Sequence, residues 1–460
     1  MTFIIAYKFR SFNINRKFYK FFYKTYDIVK TEFAFGKGDV KVKKYDLIVI
    51  GGGLSGVASA VCGAREGLST LLIEKSGTLG GAISNNLVYP FMRYWTLASE
   101  NEFDVSKYLS AGIFAEMRER EKKYVKKYSD MQFGPEYFKL LLDDMVSEAG
   151  VDTLFHSTLC AVNTDNRSIK SIDVITCAGI MSFESEFFID ASGDGALFAL
   201  AGCDYQLGRE SDGLCQPMTT CFRMSGVDLA QFAKDRPMLQ QKYRELQASG
   251  EITNPRENIL TFNGIGDGIL HFNTTRIIKL DPTDPFDKSR AEIEVRRQVF
   301  EIEQFLKKYS SAFEKSTIIS IANEIGVRES RKLRGVYILT AQDLKDLTHF
   351  EDSIALGNYD IDIHNPSGTG TSHYYFKGEE YYSIPYRSLI SKEYDNLLVT
   401  GRCISATHEA QASVRIMPIC ATLGQAAGTA AAVAHVSGKN VHTVDVDSIR
   451  ALLIKNGARV

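Results

Sequence analysis

The chain reads as an α/β protein, a Rossmann-like dinucleotide-binding domain with an inserted mixed α+β substrate domain. Three observations predict this. A glycine-rich turn follows an apolar strand near residue 50. A second short strand ends on an acid two dozen positions later. A long stretch of different texture then intervenes before the strand-and-small-helix pattern returns near the end of the chain.

The first element is Leu47–Ile50, a short apolar run of the kind that forms a strand buried on both faces. Gly51, Gly53 and Gly56 follow in G-x-G-x-x-G spacing, with Leu54 and Ser55 between the last two. Val57–Glu66 reads as a helix of small and apolar residues, Gly67 breaks it, and Leu71–Ile73 is a second buried strand leading to Glu74. Each glycine has a physical task. Gly51 permits the tight turn, Gly53 lets backbone approach a pyrophosphate, and Gly56 lets helix and strand pack closely. The helix N-terminus offers free N–H groups and a positive dipole end to the phosphates. Glu74, 18 residues after Gly56, stands where a carboxylate accepts hydrogen bonds from ribose hydroxyls and disfavours a 2′-phosphate.

Composition excludes several classes. A net charge of −2 gives no support to bulk nucleic-acid binding. No apolar run approaches the length of a membrane span. The eight cysteines are scattered without a C-x-x-C and read as those of a reduced, cytoplasmic protein. Cys215 and Cys221 are the nearest pair, either a redox-active disulfide or two buried thiols. No His/Cys/Asp group has metal-ligand spacing, and no nucleophile elbow supports hydrolysis.

At 460 residues, more than one domain is expected. Residues 1–44 carry 11 Lys/Arg against three acids and form a basic extension outside the catalytic fold. It reads as an over-extended start, a targeting segment or an extra helix. The dinucleotide domain spans 45–204 and resumes at 385–460, around an inserted domain at 205–384. Glu100–Ser147 reads as helix-rich, with "AEMREREKKYVKKYSD" as a solvated helical face, and Phe133–Glu136 opens another helix reaching about Ala149. Gly150–Ile189 alternates as strands, and the last of them runs into Asp190-Ala191-Ser192-Gly193-Asp194-Gly195. The inserted segment mixes strands ("TTCFRMSG", "GILHFNTTRII") with a helix ("DKSRAEIEVRRQVFEIEQFLKKY"). Leu397–Thr400 is then a buried strand, and a small-residue helix starts near Met417-Pro418, where proline suits the first turn.

After Glu74, Lys75–Gly81 ("KSGTLGG") resembles the flavoprotein oxidoreductases of the glutathione-reductase-like fold, in which a second glycine pair passes the flavin phosphates and ribityl chain. "GTLGGAISNNLVYPFM", "DASGDGALFALAG", "IANEIGVRESRKLRGVYILTAQDL", "IDIHNPSG" and "LLVTGRCISATHEAQASVRIMPICATLGQAAG" are similar to the FAD-dependent oxidoreductase family, from Tyr45 to about Val436. The resemblance implies FAD as cofactor. It implies a site drawn from Gly51, Gly53, Leu54, Ser55, Gly56, Glu74, Lys75, Gly80, Gly81, Ala82, Ser84 and Asn85. Leu159, Ala191, Ser192, Gly193, Asp194, Gly401, Arg402, Met417, Gly424 and Gln425 complete it. Gly401-Arg402 stands where many flavoproteins carry Gly-Asp, so the usual ribityl carboxylate is absent.

Five residues are candidates for chemistry. His408, near the expected flavin ring, can accept a proton as hydride leaves a carbon, or order its loop. Arg328 and Arg331, flanking Glu329, can bind a carboxylate, polarise a carbonyl or form a structural ion-pair cluster. Arg415 and His271 are further candidates, and His364-Asn365-Pro366 reads as a turn bordering the pocket. The expected activity is hydride transfer between FAD and a small organic substrate, with a separate electron acceptor or donor and a homo-oligomer left open. A flavin-dependent monooxygenase or halogenase using NAD(P)H and oxygen is the alternative, disfavoured by the lone G-x-G-x-x-G. A flavin-binding sensor is the third.

Overall fold

The computed structural model describes residues 43–99, 102–125 and 129–460. The expectation for the basic extension falls almost wholly outside these residues. The first strand spans Lys43–Ile50, so Lys43 and Lys44 already belong to the sheet. The glycine turn, the helix Leu54–Arg65 and the strand Thr70–Ile73 follow as expected.

The main sheet has seven strands. Asp152–Leu154, Thr70–Ile73, Lys43–Ile50 and Gly179–Asp190 lie side by side in parallel. The long strand Gly179–Asp190 serves two partners on its far side. Its first half pairs antiparallel with Ser168–Thr176, which pairs in turn with Thr158–Asp165. Its second half pairs parallel with Leu397–Val399. Ile50 stands opposite both Ile73 and Asp190, and Asp190 opposite Val399. Four strands therefore end at one level, and the loops at 51–53, 74–81, 191–195 and 400–402 gather there. Ligands of open α/β sheets bind outside these carboxyl ends.

Every residue of the fingerprint helix from Leu54 to Gly63 is buried, because another helix, Met417–Ser437, lies against it. A Cβ added at Gly424 would fall 2.1 Å from the Ser55 carbonyl oxygen, and one at Gly428 would fall 2.2 Å from that of Ser59. Ser59 Oγ donates to the carbonyls of Ser55 (2.9 Å) and Gly424 (3.0 Å). Small residues thus bring the two helix backbones together. Met417–Ser437 is long and apolar enough to cross a membrane, but it is mostly buried inside the protein.

A second sheet is wholly antiparallel, in the order Thr261–Phe262, Leu270–Phe272, Phe222–Ser225, Thr317–Ile321. The helices Leu229–Ser249 and Pro285–Tyr309 share its core through Tyr243, Val299, Ile302 and Phe305, packed with Phe222 and Phe272. Pro285–Tyr309 buries Ala291, Val295, Val299, Ile302 and Leu306, the three-and-four spacing of one helix face. Asp284 caps it by accepting from the N–H groups of Phe286 and Asp287.

Two local expectations need correction. The helix-rich stretch from Glu100 begins instead as a hairpin, Trp95–Ser99 with Glu102–Tyr108. The period-two alternation there is short, Phe103 and Val105, and Lys107 interrupts it. The "AEMREREKKYVKKYSD" helix is also shorter, Ile113–Glu121, and not wholly solvated. Phe114, Met117 and Glu121 are buried, and Glu121 accepts from the Gly134 N–H at 2.6 Å. The helix Leu229–Ser249 was not signalled by the sequence, since it has a weak apolar face and an internal Pro237.

Candidate active site

The three fingerprint glycines do different work. Gly51 has φ +102°, and a Cβ there would lie 2.5 Å from the Ala191 carbonyl oxygen. A Cβ on Gly56 would lie 1.7 Å from the Gly51 carbonyl oxygen. Both are demanded by packing. A Cβ on Gly53 would meet nothing within 4 Å. Gly53 is the N-cap of the fingerprint helix, without a side-chain cap, and borders a cavity of about 810 Å³. The first N–H groups of the helix are thus left for a ligand.

The rest of the cradle packs around this opening. Gly80 N–H donates to the Gly52 carbonyl at 2.8 Å, and a Cβ on Gly81 would come within 3.0 Å of Gly53 Cα. The buried Glu74 carboxylate accepts from Gly52 N–H (2.6 Å) and Ser76 N–H (2.8 Å), so it braces the turn while lining the cavity. Asp190 is fully buried and organises the next loop by accepting from Ser192, Leu197 and Phe198 N–H groups. Asp194 pairs with Arg402 at 2.8 Å and accepts from Ser330 Oγ at 2.7 Å. The arginine in place of the usual aspartate thus finds its carboxylate on the neighbouring loop. Burial opposes the charge on Asp194, but Arg402 and Lys288 outweigh it and hold this carboxyl well below its usual range.

The same cavity reaches a second polar group. Arg328 lines it, is buried, and donates to the Pro217 carbonyl (2.7 Å) and Asn273 Oδ1 (3.4 Å). Burial, with Arg415, Arg256 and Arg276 nearby, pushes its guanidinium down to about 9. Arg256 Nη1 and Arg276 Nη2 approach His364 Nδ1 at 3.4 and 3.3 Å. Guanidinium groups only donate, so Nδ1 is the acceptor and the imidazole proton sits on Nε2. That nitrogen lies 3.4 Å from Asp362 Oδ2. Burial and Arg328 hold His364 well below the usual histidine range, and so neutral.

Asp362 is the hub of this group. Tyr359 donates to its Oδ2 at 2.9 Å, Arg415 Nη2 stands 3.8 Å away, and His373 Nε2 faces Oδ1 at 3.6 Å. Burial alone would raise this carboxyl, but His364, Arg415 and Tyr359 outweigh it and keep it ionised. His373 lines the cavity, a third of its side chain exposed, and stacks on Tyr375 at 5.2 Å.

A family model described as FAD dependent oxidoreductase matches residues 46–453. The chain belongs to that family. FAD is its cofactor, and the open Gly53 cradle, the uncapped helix and Glu74 fit a dinucleotide. Over 42 residues the oxidoreductase is 55% identical to the mitochondrial dihydrolipoyl dehydrogenase of Schizosaccharomyces pombe, 9% of this chain and 8% of that protein. Over 81 residues it is 35% identical to the ferredoxin–NADP reductase of Mycoplasmoides gallisepticum, 18% of this chain and 23% of the relative. It spans less than a quarter of the curated relatives it matches. Among solved structures it is similar to a geranylgeranyl bacteriochlorophyll reductase-like protein from Thermoplasma acidophilum, with TM-score 0.46, 13% identity and 90% and 84% of the two chains covered. L-proline dehydrogenase from P. horikoshii gives 0.42, 12%, 91% and 100%.

The sequence-predicted residues divide. Gly51, Gly53, Leu54, Ser55, Glu74, Lys75, Gly80, Gly81, Ala82 and Asn85 line the cavity of the oxidoreductase, as do 191–194, Gly401, Arg402 and Met417. Gly56 and Gly424 serve backbone packing instead. Ser84 bonds the Leu79 carbonyl, Gln425 accepts from Ile113 N–H at 3.0 Å, and Leu159 packs beneath the sheet.

Of the catalytic candidates, Arg328 and Arg415 line the cavity, while His408, Arg331 and His271 do not. His408 Nδ1 faces the buried Glu329 at 2.7 Å, and Glu329 also pairs with the buried Lys332. Arg328 and Glu329, neighbours in sequence, thus have separate partners: Pro217 and Asn273 for the arginine, His408 and Lys332 for the glutamate. Arg331 donates to the Asp194 carbonyl and covers the Tyr205 ring. His271 is fully buried beside Tyr89, with both ring nitrogens lacking a hydrogen bond.

Cys215 and Cys221 are separate buried thiols, each pushed up to about 12 by burial. Asp46, Glu186 and His435 bring ligand-type atoms within 4.8 Å of one another, but none lines the cavity, and this candidate cation site is empty. Arg256, Asp362 and His373 also line the cavity and were not among the sequence candidates. Asp362 and His373 stand opposite each other in the hairpin Ile361–His364 with Thr371–Tyr374, and Arg256 comes to them from a segment much earlier in the chain, so no motif spacing announces the three together.

Proposed function

We propose that this oxidoreductase transfers a hydride between FAD and a small organic substrate bound beside Asp362, with the His373 imidazole handling the accompanying proton through the ring nitrogen that does not face Asp362. One observation carries the reading: a single cavity joins the Gly53 cradle to the Asp362 group. Bound FAD supplies the two-electron acceptor or donor. A substrate carbon that loses a hydride leaves a proton on its oxygen or nitrogen, and an imidazole at the cavity wall can take it. Asp362 Oδ1, 3.6 Å from His373 Nε2, stabilises the resulting imidazolium. Tyr359 and Arg415 hold Asp362 in place from its other oxygen. In the reverse direction the same groups return the proton.

Residues 205–384 act in this reading as the substrate domain, since Thr219, Cys221 and Asn273 supply one wall of the cavity. The parallel strands and the meander on Gly179–Asp190 support the glutathione-reductase-like form of the FAD domain. The test is anaerobic mixing of the FAD-loaded protein with a metabolite panel, read at the flavin absorbance band. Bleaching by a substrate alone is expected. Flavin reduction only by NADPH, followed by oxygen consumption, would replace this reading with a monooxygenase or halogenase.

A further inference from the structure

We infer that the substrate is a small organic acid whose oxyanion, a carboxylate or a phosphate ester, is bound by Arg328 with Arg256 and Arg415. This rests on the reading of the cavity as a substrate site. The argument is one of charge. Arg256, Arg328 and Arg415 line the pocket and Arg276 is packed behind them, and the carboxylates near these four are Glu257 and Asp362. His364 among them is neutral. Two positive charges are left unbalanced.

Glu257 takes Arg276 at 3.4 Å and Arg256 at 3.9 Å, and Asp362 takes Arg415 only at 3.8 Å. Arg328 has no carboxylate within 4 Å among the described residues, and its hydrogen bonds go to two neutral oxygens. The Arg415 guanidinium makes no hydrogen bond there, and its Nε is buried without a partner. Burying a cation unpaired is costly, and crowding it with like charges adds to the cost. A surface ion-pair network would not be built this way. An oxyanion in the cavity removes both costs, and the planar fork of arginine suits it.

The anion held here is distinct from the cofactor's pyrophosphate. The cradle has its own cations, Lys75 and Arg402, already paired with Glu324 and Asp194.

The experiment titrates the FAD-loaded protein with malonate, inorganic phosphate, acetate and neutral malonamide. Ionic strength is held constant with sodium chloride, and the flavin band and melting temperature are followed. An oxyanion should perturb both at concentrations where malonamide does nothing. A response to malonate or acetate assigns a carboxylic acid, and a response to phosphate alone assigns a phosphate ester. Arg328→Gln, with FAD content retained, should weaken that binding by about 10²-fold. Arg415→Gln, which removes no hydrogen bond, should weaken it too and serves if Arg328→Gln misfolds.

The inference is overturned if malonamide matches malonate, if no oxyanion binds, or if the folded variants keep full affinity. Binding is read without turnover. Anions that bind while no metabolite bleaches the flavin would therefore overturn the proposed reaction and leave this inference standing. A neutral substrate that bleaches the flavin, unaffected by anions, would overturn this inference alone.

Discussion

The two ends of the cavity are built on opposite principles. The cradle end is made of backbone: Gly51, Gly53, Gly80 and Gly81 hold two turns together, and the uncapped helix start supplies the donors. The far end is made of side chains: a carboxylate and two histidines on one hairpin, met by arginines from other segments. A cradle of backbone leaves no room where its turns meet, at Gly51, Gly80 and Gly81, and opens only at Gly53, and its chemistry is the same for any dinucleotide. A cluster of side chains is set residue by residue, and in the proposed reading it is where one substrate is told from another.

The largest effect should separate the glycines. Gly56→Val should yield insoluble protein, since its Cβ would fall on the Gly51 carbonyl oxygen. Gly53→Val has room for its side chain and should fold, but the side chain fills the ligand's approach, leaving soluble protein without flavin. Circular dichroism and the flavin-to-protein absorbance ratio check both. A yellow Gly53→Val protein would break the idea that this opening takes the pyrophosphate.

At the other end, Asp362→Asn should keep its FAD and lose about 10²-fold or more in turnover on an identified substrate, the scale of general acid–base catalysis. Unchanged turnover would mean that Asp362 only braces its neighbours. His408→Ala tests the buried network behind the site. It should cost about 1–3 kcal/mol of stability, because Glu329 loses a partner in a fully buried place. The pH profile of turnover should not move, and a shifted profile would return His408 to the chemistry.

The smallest effect is a slope. Burial and Arg223 hold His271 at about 3 against an ordinary 6.5, so the unfolded chain binds its proton first. Stability is then full above pH 6.5 and falls as pH drops toward 3, by about 1.4 kcal/mol per pH unit from this group. His271→Leu should flatten the denaturation midpoint measured between pH 6 and 5. An unaltered slope would place the titration elsewhere, with His364 the first candidate since burial shifts it in the same direction.

The cradle was legible in the chain because its rules are local. Glycine spacing, an apolar strand on each side and an acid at a set distance are imposed by turn and helix geometry within some thirty residues. The parallel sheet, the meander on Gly179–Asp190 and the return at Leu397 followed from the same periodicities. The hairpin at Trp95–Tyr108 was hidden because charge obscured a period of two, and the helix Leu229–Ser249 because its apolar face is weak.

Catalytic assignment depended on contacts between distant residues, where local rules are silent. His408 had the better position in sequence, yet folding turned it toward Glu329. Arg256, Asp362 and His373 had no motif, yet the hairpin that carries Asp362 and His373 and the segment that carries Arg256 meet at the cavity. Cofactor recognition could be read from the sequence because backbone geometry repeats wherever its spacing does. The proposed substrate site emerged only from the tertiary structure, because the charge balance of a pocket belongs to all the segments that meet there and to none of them alone.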